Sequence, residues 1–273
     1  MKHARMGPVG VRVRGSLRLL SNDIAWRVWV VLLALLAWYI VTALELFLPI
    51  ALPSPQRVWS SFLQLTREGY SGVSLGAHIS ISLTRLLAAY AAVCLTGIPL
   101  GLAMGYSPKV KAVFDPVIEF YRPVPPLAYL MVLIAWFGIG ELPKLVLLYL
   151  VGLPLMSVSS AAAVRNVRVE RINGALSLGA NQWQVFRFVV FPSCLPQILT
   201  AMRLTFGLSF AALVAAEMMA ASSGLGWMVR HSGQFLRTDV VLAVIFIMAV
   251  AALLGEGLLR LTERKLVPWA GKG

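Results

Sequence analysis

Few residues in this chain have a type and spacing suited to covalent chemistry. GVSLG at 72–76 fits the G-x-S-x-G pattern of a serine nucleophile, with Ser74 at its centre. That turn needs a strand before it and a helix after it, and here it sits in a short loop between apolar stretches. The histidines His3, His78 and His231 are scattered, and no H-E-x-x-H occurs. Cys94 lies within an apolar stretch and Cys194 beside one, so neither suggests a disulfide or a metal site. No G-x-x-x-x-G-K-[ST] phosphate loop is present; the single Gly-Lys pair is at 271–272. A catalytic constellation is therefore absent from the sequence, and with it the case for a small membrane enzyme.

What remains is charge in apolar surroundings. Arg122 opens RPVPP and Glu217 sits in LVAAEMMAA. A charge at a span centre costs about 2.5–3.5 kcal/mol on insertion scales, so each needs a reason. Arg122 would supply positive potential to an anion, because a guanidinium matches sulfonate or nitrate oxygens. Glu217 would repel an anion and is assigned a gating or structural role. Ser209 is grouped with them as a pathway residue. The alternative is that Arg122 and Glu217 pair with backbone, headgroups or each other. Glu119, Glu256, Arg85 and Arg203 fall near span ends, where snorkelling accounts for them.

These residues sit in a chain with 59% hydrophobic and 13% charged residues; soluble domains carry about 25% charged residues. Mean hydropathy is +0.81. About six apolar runs approach the roughly 20 residues a crossing needs, and the alternation of a barrel is missing. The spacing predicts an all-α, polytopic membrane protein with spans near 28–48, 82–104, 117–138, 143–163, 196–220 and 240–260. Residues 1–27 form a basic segment, 28–264 the membrane domain and 265–273 a tail. A surface helix is expected at 56–66. Four prolines in 116–126 argue against a regular helix in the first half of the third span, and 222–237 reads as a polar outer loop with Arg230, His231 and Arg237.

The net charge of +13 reflects loops rather than nucleic acid. With the N-terminus inside, sixteen Lys and Arg fall in inner segments and five in outer ones, which places both termini in the cytoplasm. Gly97, Gly101 and Gly105 recur every four residues and offer one helix face for close packing. Gly207, Ala211 and Ala215 do the same in the fifth span, the expected pathway lining.

A half-polar insert, NGALSLGANQWQVFRFVVFP at 173–192, follows the fourth span on the cytoplasmic side. Gly179 reads as a helix stop and Asn181 as the cap of a second short helix. Trp183, Phe186 and Val190 would line one side of that helix, and Pro192 would close it. The pattern alone fits either an interfacial helix or a knob for a soluble partner.

The insert resembles the coupling segment of binding-protein-dependent ABC importer permeases, E-A-A, three residues, G, nine residues, I-x-L-P. Here the positions read Asn173-Gly174-Ala175, Gly179 and Val189-x-Phe191-Pro192, with Asn for Glu, Gly for Ala, Val for Ile and Phe for Leu. ISLTRLLAAY, GIPLGLAMGYSP, DPVIEFYRPVPPLAYL, WFGIGE, LVAAEMMAA, GLGWMV and TDVVLA are similar to the taurine/alkanesulfonate/nitrate subgroup, over roughly 50–268, with taurine permeases the nearest likeness.

The resemblance implies a type I importer permease fold in the bacterial inner membrane. It implies a homodimer whose coupling residues Asn173, Gly174, Ala175, Gly179, Ala180, Trp183 and Pro192 enter clefts in two cytoplasmic ATPase subunits. ATP and Mg would reside on those subunits, with no cofactor on this chain. A periplasmic binding protein would deliver a small anion, taurine or another sulfonate, with nitrate or a pyrimidine as family alternatives. Membrane lipid is the remaining partner. The rival mechanism is an ion-gradient transporter with Glu217 or Glu119 carrying protons; its usual inverted repeat is not seen.

Overall fold

The computed structural model describes residues 16–269. Most of the basic N-terminal segment and the end of the tail therefore lie outside the described residues. Helices follow one another in the order α1 (Ser16–Ala43), α2 (Pro55–Glu68), α3 (Leu75–Tyr106), α4 (Pro108–Tyr121), α5 (Pro126–Phe137), α6 (Glu141–Arg165), α7 (Val169–Ser177), α8 (Gln182–Val185), α9 (Phe191–Ala220), α10 (Leu225–Gln234) and α11 (Thr238–Leu266). A π turn, Phe186–Val190, joins α8 to α9. No strand occurs among the described residues, so Ser74 is not on a nucleophile elbow. Its hydroxyl accepts from the Ala77 N–H and caps α3 instead.

Four helices are long and apolar enough to cross a membrane: α3, α6, Gln182–Ala220 as one continuous element, and α11. The α4–α5 pair is a fifth only if counted as one broken element, bent by 100°. In α1 the apolar part is Val28–Ala43, short of a full span. The expected first span to residue 48 stops at Ala43 because the chain turns there, with Glu45 at φ 53°.

The proline-rich region differs from expectation in position. Its first half is helical, with Pro116 inside α4, and the break falls at 122–125. One proline removes a single helix hydrogen bond, which a membrane helix tolerates. Pro123, Pro125 and Pro126 together remove three donors in four residues, and the helix cannot continue. The expected outer loop 222–237 is also corrected: it contains α10, because Leu225, Met228 and Ser232 recur at helical spacing and are buried against α9 and α11.

The centre is α3 against α6 and α6 against α9. Gly97, Gly101 and Gly105 face α6. A Cβ on Gly101 would lie 2.5 Å from Ser160 Cβ and collide with the Ser157 carbonyl. One on Gly105 would lie 2.6 Å from Val164 Cβ. The helices therefore approach backbone to backbone, which is how membrane helices gain dispersion contact without a hydrophobic driving force. Gly207, by contrast, has open space at its Cβ position, and Ala211 is exposed.

A buried ion network pins the other end of this packing. Arg85 Nη1 donates to Glu217 Oε1 at 2.8 Å and Nη2 to Glu141 Oε1 at 2.7 Å. Arg85 also reaches the Ser223 carbonyl, at 2.8 Å. Glu217, 0% exposed, accepts from the Ser82 hydroxyl and from the Gly226 N–H at 2.8 Å. Lys144 Nζ donates to Glu141 at 2.8 Å. Two cations and two carboxylates thus join α3, α6, α9 and the start of α10. The expectation that Arg85 snorkels at a span end is overturned, because its side chain is only 6% exposed. Arg203 likewise pairs with Glu263 at 2.9 Å and Glu256 at 3.4 Å rather than reaching for headgroups.

Two outcomes check this packing. Breaking a buried pair from one side costs about 3–5 kcal/mol, whereas Glu141 is 57% exposed. Glu217→Ala should therefore lower the melting midpoint of the detergent-purified protein well below that of Glu141→Ala; equal midpoints would remove the network from its central role. Gly101→Leu should yield no monodisperse protein by size exclusion, and a normal yield would refute the close approach of α3 and α6.

Candidate functional site

Two features stand out as sites, the bent segment after α6 and the break between α4 and α5. In the first, α7 ends in a complete left-handed cap. Gly179 has φ +85°, its N–H reaches the Leu176 carbonyl at 2.9 Å, and the Ala180 N–H reaches the Ala175 carbonyl at 3.1 Å. This pairing fixes the spacing of Ala175 and Gly179, because the glycine must follow the acceptor by four residues. Asn181 then opens α8 with a reciprocal cap. Its side chain accepts from the Gln184 N–H at 2.9 Å, and the Gln184 side chain accepts from the Asn181 N–H at 2.8 Å. These four hydrogen bonds hold the angle of the bend.

Pro192 does not close the second helix. The π turn takes the Phe191 N–H to the Phe186 carbonyl and absorbs the register change beside the proline. α8 therefore runs on into α9, and the element from Gln182 to Ala220 is continuous for 39 residues. That element joins the bend at Asn181 to Glu217. The expected apolar side is also adjusted. Val185 and Val190 are buried, with Ile172, Ala175 and Ala180 packed beside them. Trp183 is 66% exposed and stacks on Phe186 at 6.0 Å. Leu178, at the tip, is 90% exposed. Asn173 and Gly174 are exposed on α7, with open space at the Gly174 Cβ position.

The second feature is a cleft of about 410 Å³ where the α4–α5 break faces α6 and α9. Tyr121, Arg122, Tyr129, Leu150, Pro154 and Leu208 are among its walls. Arg122 caps α4 and is exposed. The structure does not bring Arg122, Glu217 and Ser209 together. Glu217 is locked into the Arg85 network, so neither an Arg122–Glu217 pair nor an open gating carboxylate exists. Ser209 is buried between α9 and α6, its hydroxyl 3.2 Å from where a Cβ on Gly152 would lie. Glu119 is exposed on α4.

Sequence reasoning missed Arg85, Ser82 and Lys144 as partners of the two glutamates. The available signal was the matched count of charges at the ends of three apolar runs. In and beside α10, His231 Nδ1 lies 2.9 Å from the Tyr70 hydroxyl, and Arg237 pairs with Asp239 at 3.1 Å. Both are engaged by the protein itself. Among the described residues no cluster suits a metal ion.

Comparison with known proteins agrees with this architecture. Residues 97–268 match the family described as binding-protein-dependent transport system inner membrane component. The chain is 45% identical over 254 residues to the taurine transport system permease protein TauC of Escherichia coli K12, covering 93% of this chain and 92% of that protein. It is 32% identical over 232 residues to the putative aliphatic sulfonates transport permease protein SsuC of Bacillus subtilis 168, covering 85% and 83%. Among solved structures, an inward-facing form of the MetNI methionine ABC transporter superposes with a TM-score of 0.63 at 17% identity, covering 70% of this chain and 95% of that one. A 172-residue match to the family and this close likeness across the whole membrane domain lead to one conclusion: the chain belongs to the binding-protein-dependent ABC transporter inner-membrane components, with the type I permease fold.

Proposed function

We propose that this chain is the membrane-spanning subunit of an ATP-driven importer of taurine or a closely similar sulfonate. The observation that carries the reading is 45% identity to a taurine permease over nearly the whole length of both chains. The similarity to an aliphatic sulfonate permease points to the same class of solute. The chain carries no phosphate loop, so the ATP and Mg belong to a partner ATPase, and a periplasmic binding protein presents the solute. Two copies of the chain form the pathway. Sixteen Lys and Arg on one side against five on the other support termini in the cytoplasm of a bacterial cell.

In this mechanism the 169–192 segment docks into the ATPase. The exposed apolar side chains of Leu178 and Trp183 at a capped, rigid bend suit insertion into a cleft, and the continuous Gln182–Ala220 helix passes the ATPase motion into the membrane. A rigid body moving about an interface is an established means of switching access. The chain's own part is mechanical: it holds the bend, transmits displacement and provides the passage.

Proteoliposomes containing the permease and its ATPase should accumulate labelled taurine only with ATP on the ATPase side and binding protein on the other. Accumulation by this chain alone, or uptake that collapses with an uncoupler and ignores ATP, would defeat the reading. The bend gives a second measurement. A β-branched residue at φ +85° is strained by about 1–2 kcal/mol, so Gly179→Val should loosen the bend and lower the taurine moved per ATP hydrolysed. Gly257→Ala, on α11 outside the docking segment and with nothing within 4 Å of its Cβ position, should leave that ratio unchanged. Equal ratios in all three proteins would separate the bend from coupling.

A further inference from the structure

We infer that the permease carries its own binding site for a zwitterionic aminosulfonate, in the cleft at the α4–α5 break, with Arg122 holding the sulfonate and the Leu150 carbonyl holding the ammonium. The inference rests on the transport reading above and adds a site to it.

The first observation concerns charge. Arg85, Lys144 and Arg203 each have a carboxylate partner. Arg122 has none among the described residues, although it sits at the break of an apolar helix pair and lines a cleft. An unmatched cation there needs a counter-ion, and a planar guanidinium offers two parallel donors to an oxyanion. The Tyr121 hydroxyl is buried beside it with no hydrogen-bond partner among the described residues.

The second observation concerns an acceptor. Pro154 lies inside α6 and has no N–H, so the Leu150 carbonyl loses the donor it would have four residues on. Leu150 and Pro154 both line the cleft. A helix carbonyl without its donor takes a hydrogen bond from elsewhere, and an ammonium group is a suitable source. The Tyr129 ring, on the α5 side of the cleft, adds an aromatic face that attracts a cation. Donors on the α4–α5 side and an acceptor on the α6 side thus match a small molecule with a negative and a positive end. The volume of about 410 Å³ falls in the range of small-molecule sites, about 300–1,000 Å³. The break's own backbone does not supply the positive potential, because Pro123, Pro125 and Pro126 carry no N–H; the anion end depends on Arg122.

The test uses the permease with its ATPase in nanodiscs, without binding protein, and measures tritiated taurine by scintillation proximity with ethanesulfonate as competitor. Ethanesulfonate lacks the ammonium. The expected result is saturable taurine binding, weakened about tenfold or more by Arg122→Gln and weakened less by Arg122→Lys, which keeps the charge but not the two parallel donors. Pro154→Ala returns the missing N–H to α6. It should weaken taurine several-fold while leaving ethanesulfonate unchanged. Absence of saturable binding in preparations that still take up taurine with binding protein and ATP in proteoliposomes would overturn the site and leave the transport reading intact. Wild-type affinity in Arg122→Gln, or a parallel loss of both ligands in Pro154→Ala, would overturn the site as well. If the complete system moves no sulfonate, the transport reading fails and the site falls with it.

Discussion

The Arg85–Glu217 pair is the interaction on which the rest of the structure depends. Each side chain is costly to bury alone, and each is fully supplied with partners. Glu217 uses the guanidinium, the Ser82 hydroxyl and the Gly226 N–H. Arg85 spans Glu217, Glu141 and the Ser223 carbonyl. Glu141 sits in the first turn of α6, where the helix dipole favours a carboxylate. A pair so completely bonded fixes direction as well as distance. It sets α9 against α3 and determines where α10 begins. Gly224 and Gly226 follow from it, because a side chain on Gly224 would strike the Glu217 carboxylate and one on Gly226 would lie 2.7 Å from Glu217 Cβ.

The opposite end of the same packing is held by smallness rather than charge. Gly101 and Gly105 let α3 lie against the backbone of α6, and the Gly179 cap turns the chain with the Gly179 and Ala180 N–H groups both bonded. Between these fixed points lies the 122–125 break, where the prolines interrupt the helix. Packed helices switch between discrete arrangements more readily than they bend. In the proposed mechanism the helices move as stiff pieces, with the Gln182–Ala220 helix carrying the displacement.

Much of this was legible in the sequence where one residue type has one physical use. Gly179 followed by Asn181 announced a left-handed cap and a new helix start. The four-residue glycine period announced a tight interface. Hydropathy found α3, α6, α9 and α11. Reading failed where the outcome depends on which elements meet. Arg85 and Glu217 are 132 positions apart, and no local pattern says that they touch. Pro192 looked like a terminator, because the π turn that accommodates it is a property of backbone register. The stretch 222–237 looked like a loop on its glycines and polar residues, whereas its helix exists because Leu225 and Met228 find a place against α9 and α11. The cleft at the break needed both the proline run and the facing Pro154, and their proximity is a fact of the fold alone.

The attachment of α1 has a separate consequence. From Val28 onward its side chains are mostly exposed, and Trp38 ties it down by donating to the Pro53 carbonyl at 3.1 Å and stacking on Phe246 at 6.1 Å. Beneath it lies an apolar cleft of about 650 Å³ against α2 and α11. A segment that asks so little of its neighbours is content in oil by itself. With most of its apolar side chains turned outward, α1 finds its natural surroundings in hydrocarbon rather than in the rest of the protein.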